Sequence, residues 1–248
     1  MWSRCEGKGV TAALLALVQL TLSCAPAAAQ LRVYSSNQVV ASWLWHIGGI
    51  CVEVRSAPPR GSSDAFRFEL TPRAEGRAQG AVVYLASPPK GVKETELLFD
   101  PASAPFLWNK IVRELSRLDP KNQPYYQRRL SELYSRWTGL IGMGRRMLAG
   151  YPPVLDLSES VGSLLKNMGL KVEQPSGDKP LEEEIAKASS EGKVVLISSW
   201  TDPSIQRLVL DLNSSGKARV WNFQLKLDEK NPDFLLMLLD NLRSAPRR

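Results

Sequence analysis

Apolar residues in this chain follow two rhythms. Short runs with period-two or continuous hydrophobicity predict strands at LRVYSS (31–36), ICVEVRS (50–56), AVVYLA (81–86), VLDL (154–157), LKVEQ (170–174), KVVLISS (193–199) and ARVWNF (218–223). Between most of them the apolar positions recur at helical spacing. NQVVASWLWHIGG (37–49) has one apolar face and a Gly48-Gly49 stop, and ESVGSLLKNMG, PLEEEIAKASSEG, a segment opening at Asp202-Pro203, and PDFLLMLLDNL repeat the pattern later. GSSDAFRFELTP (61–72) reads as a loop, with Thr71-Pro72 as the start of a further helix.

The middle of the chain differs. From Pro105 onward Leu107, Ile111, Leu115 and Leu118 share one helical face, and Asp119-Pro120 then opens a second helix with Tyr126, Leu130, Leu133, Trp137, Leu140 and Met147 as its stripe. With no breaker before Gly139, this second helix is expected to run about 25 residues, roughly 38 Å at 1.5 Å per residue. Strand-helix alternation on either side of such a rod predicts an α/β protein of two lobes, each with a parallel-type sheet flanked by helices, joined by a long backbone helix. The expected divisions are 30–103 for the N-terminal lobe, 104–149 for the connecting helices and 150–248 for the C-terminal lobe.

Residues 1–29 stand outside this scheme. Arg4 and Lys8 precede the apolar run Val10 to Leu22, which is too short to span a bilayer, and small residues follow in APAAAQ. That is the pattern of a signal peptide, with Gln30 as the expected mature N-terminus. LTLSC, ending at Cys24, offers the competing reading of a lipoprotein signal. Either way the expected location is the periplasm or the exterior of the cell envelope. Cys5 and Cys24 leave with the leader, so Cys51 is the single cysteine of the remainder and is expected in the core. The formal net charge of +7 is scattered along the chain, which with an export signal argues against nucleic acid as a partner. Arg128, Arg129, Arg136, Arg145 and Arg146 form the densest basic group; a solvated helix face is the simpler reading and an anionic partner the other.

Several segments resemble the ZnuA/TroA-like family of zinc and manganese substrate-binding proteins of ABC transporters. GICVEVRSAPPRGSSDAFRFELTPR (49–73) is similar to the family's strand leading into G-x-D-P-H-x-Y-E-P-T-P, ELLFDP (96–101) to H-V-W-L-D-P, and ELSRLDPKNQPYYQRRL (114–130) to L-x-x-L-D-P-x-N-x-x-Y-Y-x-x-N-L. LDLSESVGSLLKNMGLKV (155–172) resembles V-T-S-H-D-A-F-G-Y-x-x-x-x-Y-G-L, VVLISSWTDPS (194–204) resembles I-F-V-E-P-Q-F-D-P, and VWNF (220–223) resembles the strand ending L-D-P. The resemblance implies the metal-type periplasmic binding fold, an ABC permease as partner, and a monomer. It also places Phe66, Glu96, Ser158 and Asn222 where the family has three histidines and an acidic residue.

Of those four only Glu96 is an ordinary zinc ligand, and a hard cation such as calcium would need more oxygens than they supply. No metal and no cofactor is therefore expected. His46, the chain's one histidine, matches no family ligand and reads as a packed or surface residue. Only ASPPKGVKET separates Leu85 from Glu96, so one wall of the family's cleft is expected to be reduced. Two readings follow. In one, the cleft serves an unknown small non-metal ligand, with Phe66, Glu96, Ser158, Asn222, Ser198 and Trp200 lining it, or with Phe66 and Trp200 merely filling the vacated space. In the other, the chain is an accessory module that binds an envelope protein. An enzyme is not expected, because Ser158 and Ser198 lack a histidine base and Glu96 with Asp100 or Asp156 is a pairing that chance supplies.

Overall fold

The computed structural model describes residues 30–55, 66–72, 81–87, 93–227 and 232–246. The leader with Cys24, the first part of the GSSDAFRFELTP segment and the helix expected after Pro72 lie outside the described residues. Residues Leu31–Arg248 form one compact unit.

Two four-stranded sheets organise that unit. The first holds β1 (Leu31–Tyr34), β2 (Val52–Arg55), β3 (Phe66–Glu69) and β4 (Val82–Tyr84) in the order β2-β1-β3-β4. The second holds β5 (Val154–Asp156), β6 (Val172–Glu173), β7 (Val194–Ser198) and β8 (Val220–Phe223) in the order β6-β5-β7-β8. Every strand pairing is parallel.

Among the described residues helices supply the crossover from β1 to β2 and those of the second sheet. α1 (Gln38–Gly48) joins β1 to β2, and Asn37 caps it by accepting from the backbone N–H groups of Val39 and Val40. α2 (Glu94–Phe99), α3 (Ser103–Leu118) and α4 (Gln123–Met147) follow β4. In the second half α5 (Gly162–Asn167), α6 (Leu181–Ser190) and α7 (Pro203–Ser214) connect successive strands, and α8 (Phe234–Arg243) ends the chain. Asp202 and Asp233 cap α7 and α8 through their side chains. Among the described residues no helix is long and apolar enough to cross a membrane.

The long helix is present at 25 residues and runs unbroken through Gly139, Gly142 and Gly144. Its buried stripe is Tyr126, Leu130, Leu133, Trp137, Leu140 and Gly144; Met147, expected in the stripe, is 39% exposed. Gly144 takes its place because Met168 of the second half packs where a Cβ would stand. Asp119 does not cap this helix. Pro120–Asn122 make a 3-10 turn, while the Asp119 carboxylate accepts from Asn122 Nδ2 at 2.6 Å and from the Tyr126 hydroxyl at 2.9 Å. Burial, reinforced by that bond, pushes the Tyr126 phenol well up from its ordinary value.

Three expectations are corrected. Phe66–Glu69 is a central strand of the first sheet rather than part of a loop, its alternation placing Phe66 and Phe68 on one face and Arg67 and Glu69 on the other. Cys51 closes a short 3-10 turn before β2 and is only partly buried, because Gly49–Cys51 finish the turn out of α1 before the strand begins. The arginines of α4 are not simply a solvated face. Arg129 Nε donates to the His46 carbonyl at 2.8 Å, Arg136 joins Asp233, and Arg145 Nε donates to the Asn167 carbonyl at 3.2 Å.

One large core runs through both halves. Val33, Val52 and Phe68 of the first sheet, Trp43 of α1, Trp108 of α3 and Trp137 of α4 belong to it, as do Val154, Leu196, Trp221 and Phe223 of the second sheet. A second core sits on the far face of the second sheet only, where Leu155, Val195 and Ile197 meet Ile185 of α6 and Val209 of α7.

Candidate solute-binding site

In the second sheet the chain leaves β5 toward β6 on one side, then crosses back over β5 to reach β7 on the other. Open parallel sheets place ligand sites at such a switch point, outside the carboxyl ends of the strands. Here β5 ends at Asp156 and β7 at Ser198, and a cavity of about 540 Å³ opens beside them. Glu96 and Lys93 reach it from the first half; Asp156, Glu159, Ser160, Ser163 and Gln174 form its polar wall, and Leu157, Leu181 and Ile205 part of its apolar wall.

Asp156 anchors the wall. It is 2% exposed, its Oδ1 accepts from the Ser158 backbone at 2.8 Å and the Ser158 hydroxyl at 2.6 Å, and its Oδ2 accepts from Gln174 Nε2 at 2.9 Å. Gly162 is required beside it, since a Cβ there would run into Oδ2. The loops after β5 and β7 are then sewn together. Ser198 Oγ donates to the Ser158 carbonyl at 3.1 Å and accepts from the Trp200 N–H at 3.1 Å, while Thr201 Oγ1 donates to the Leu157 carbonyl at 3.1 Å and accepts from the Ser198 N–H at 2.8 Å. Ser158, Ser160, Ser198 and Thr201 are all buried, and their hydroxyls serve these loops.

The outer rim is held by α2. Lys93 pairs with Glu159 at 2.5 Å, and the Thr95 hydroxyl donates to the Glu159 carbonyl at 2.8 Å. Glu159 has φ of 56°, the left-handed region that costs a non-glycine residue about 1 kcal/mol or more. Two contacts, one from Lys93 just before α2 and one from Thr95 within it, fix that strained residue at the cavity mouth. Beside the rim, Glu173 is held down to about 2 by hydrogen bonds from Lys193 and then Lys171, so it stays charged.

The six residues singled out by sequence occupy different places. Glu96 alone of the six lines the cavity; Ser198 donates to the Ser158 carbonyl, and neither serine is part of the cavity wall. Trp200 is half-buried and packs on Phe99, one turn beyond Glu96, with ring centroids 5.7 Å apart. Phe66 is half-buried at the start of β3, opposite Val33, and packs against the large core. Asn222 lies on β8 opposite Ile197, and its Oδ1 is buried with no hydrogen-bond partner among the described residues. Neither Phe66 nor Asn222 is part of the cavity wall. Among the described residues no group of three or more His, Cys, Asp or Glu is placed to hold a metal ion.

Asp156, Glu159 and Gln174 are the residues the sequence did not single out as a binding wall. Asp156 could have been found: an aspartate closing an otherwise apolar strand run, VLD, marks the carboxyl end of a buried parallel strand. Asp100, the other carboxylate weighed as a partner for Glu96, instead accepts from the Ser103 N–H at 2.8 Å and the Ser103 hydroxyl at 2.6 Å, at the start of α3.

No protein-family model matches the chain, and no curated protein sequence matches it. Solved structures do match. The nickel complex of the substrate-binding protein FpvC from P. aeruginosa is 16% identical with a TM-score of 0.61, covering 88% of this chain and 99% of its own. A zinc-bound ZnuA deletion mutant is 15% identical with a TM-score of 0.61, covering 88% and 99%. The manganese-bound periplasmic metal-binding protein of Candidatus Liberibacter asiaticus is 14% identical with a TM-score of 0.63, covering 87% and 98%. At such identities the likeness is one of fold, and the chain has the two-lobed α/β fold of these metal-type substrate-binding proteins.

Proposed function

We propose that the chain is the extracytoplasmic binding component of a metal-type ABC transport system and that it carries a small polar, non-metal solute. The carrying observation is the cavity at the switch point of the second sheet, walled by acceptors from Glu96, Asp156 and Glu159 and capped by α2. Carboxylates and hydroxyls on one side with Leu157, Leu181 and Ile205 on the other suit a solute that presents hydrogen-bond donors on a short carbon skeleton. Binding rather than catalysis is the role, since Ser158 and Ser198 give their hydroxyls to loop contacts. The permease partner rests on the shared fold and the sequence resemblance.

The accessory-module reading draws on the reduced cleft and on the basic face of α4; of that face Arg129, Arg136 and Arg145 are engaged within the chain. The deciding experiment is native mass spectrometry with elemental analysis on protein purified from its own envelope. A discrete organic adduct without stoichiometric metal is the expected result. Stoichiometric zinc or manganese, or a melting shift of chelator-dialysed protein on adding either metal at micromolar concentration, would overturn the non-metal reading.

A further inference from the structure

Three carboxylates are buried among the described residues: Asp156 at 2% exposure, Glu69 at 4% and Asp233 at 7%. Two of them face a cation. Glu69 has the Arg67 guanidinium at 2.6 Å. Asp233 has Arg136 at 2.5 Å and His46 Nε2 at 3.1 Å, and His46, itself buried in the last turn of α1, closes that triangle with Nδ1 3.2 Å from Arg136. Asp156 has no cation within ion-pair distance among the described residues. Its bonds come from the Ser158 N–H, the Ser158 hydroxyl and the Gln174 amide, all of them neutral. Gly162, the first residue of α5, packs against its Oδ2, but a helix of six residues offers only a fraction of a charge. A buried carboxylate without a counter-charge is costly to fold around.

What Asp156 does face is the cavity of about 540 Å³ at the switch point. Among the described lining residues Lys93 is the only cation, and Glu159 already holds it at 2.5 Å. One lysine against Glu96, Asp156 and Glu159 leaves two negative charges uncompensated. The second is Glu96, half-buried on α2, whose side chain makes no hydrogen bond or ion pair among the described residues. The cavity therefore offers two carboxylates, one from each half of the chain, beside the apolar side chains of Leu157, Leu181 and Ile205. No aromatic side chain lines it among the described residues.

We propose that this cavity takes a small organic cation, a primary amine or guanidine on a short aliphatic chain, whose N–H groups bond Asp156 and Glu96. The inference rests on the reading of the cavity as the solute site and names the class of solute. An ammonium or guanidinium group supplies both the missing charge and the donors that a carboxylate takes in short, charge-assisted bonds. Leu157, Leu181 and Ile205 cover the methylene chain. Competing classes fit less well. A quaternary ammonium has no N–H to give and is held by aromatic faces, which this lining lacks. An anionic solute meets two like charges. The carboxylate of an amino acid finds only Lys93, which Glu159 occupies. A metal ion finds no group of three ligating side chains among the described residues.

The test is a calorimetric titration of the intact, chelator-dialysed chain with linear diaminobutane and with its mono-guanidino derivative, beside butanediol and choline as probes of matching size without the charged N–H. At least one of the two cations should bind once per chain, and butanediol and choline should give no heat. Glu96→Gln should weaken that binding about tenfold or more, and Asp156→Asn should abolish it. Should Asp156→Asn fail to fold, Glu96→Gln decides alone, since the Glu96 side chain holds nothing else in place. Silence from both cations at millimolar concentration, butanediol binding as tightly as the diamine, or undiminished affinity in Glu96→Gln would each overturn the proposal. The adduct carried from the envelope keeps the two readings apart. A neutral or anionic organic adduct would overturn the cationic class and leave the non-metal reading standing, whereas stoichiometric zinc or manganese would overturn both.

Discussion

Two parallel sheets with the same strand order are clothed differently. The second is sandwiched between cores, with α4, α5 and α8 toward the large one and α6 and α7 on the other face. All five residues of β7 are buried, and its sequence, VVLIS, is nearly continuous in hydrophobicity. The first sheet packs Val33, Val52 and Phe68 into the large core, whereas its other face carries Arg32, Glu53, Arg55, Arg67 and Glu69. Among the described residues no helix lies between β2 and β3 or between β3 and β4. Parallel strands buried on both faces read as apolar runs, whereas LRVY, VEVR and FRFE alternate, with Tyr34 and Glu69 the buried members of the polar face. Strand order alone does not decide how a sheet is buried.

The strongest way to break this contrast is to cut one apolar side chain in each sheet. Leu196→Ala, in a fully buried position of β7, should lower unfolding stability by about 2–5 kcal/mol. Val83→Ala in the half-buried edge strand β4 should remove less than about 1.5 kcal/mol. Urea denaturation reads both, and equal losses would erase the distinction.

Next in size is Glu69, the carboxylate on the polar face of the first sheet. Burial alone would raise its carboxyl, but the bonds from Ser36 and Arg67 outweigh this and lower it. A lowered group stabilises above its unfolded value, near 4.3, and that stabilisation drains away as pH falls below it. Glu69→Gln should therefore lose about 1.5–3 kcal/mol at pH 7 and show a shallower acid limb in melting scans. An acid limb as steep as the parent's would assign the acid sensitivity elsewhere.

Gly162→Ala probes the packed switch point of the second sheet. The new methyl meets the Asp156 carboxylate, and a loss of about 1–3 kcal/mol is expected together with loss of the organic adduct proposed for the parent. Retention of both stability and adduct would show that the wall yields. The smallest effect is expected from Arg32→Thr. The Arg32–Glu53 pair spans 3.4 Å between side chains 53% and 37% exposed, so stability should move by no more than about 0.5 kcal/mol. A larger loss would mean that the charged face of the first sheet is structural.

Most of the architecture was legible because it is written in period. The seven expected strands, the 25-residue helix and the final amphipathic helix all follow from spacing of apolar residues. β3 was missed although FRFE alternates, because four residues carrying two charges resemble a loop when read beside Gly61, Ser62 and Ser63. α2 was missed for a similar reason: ETELLF is one and a half turns, too short for a helical period to declare itself. The cavity was harder still. Its wall draws on residues 93 to 205, and nothing local to Lys93 or Glu159 announces that the two side chains meet. His46 shows the same limit, since its partners lie 90 and 187 residues further along.

That last separation orders events in time. Ser42 and His46 belong to the first helix of the fold, and their partners Pro232, Asp233 and Phe234 arrive 187 to 192 residues later. At the pace of ribosomal synthesis, roughly 5–20 residues per second, the delay is on the order of 10–40 s. Until then the indole surface of Trp43 that meets Phe234 has no cover from that ring, and the long-range closure that would lock the chain cannot form. A polypeptide whose α8 fastens its α1 keeps this part of its native state out of reach until residues 233–243 have been made, and remains threadable until then.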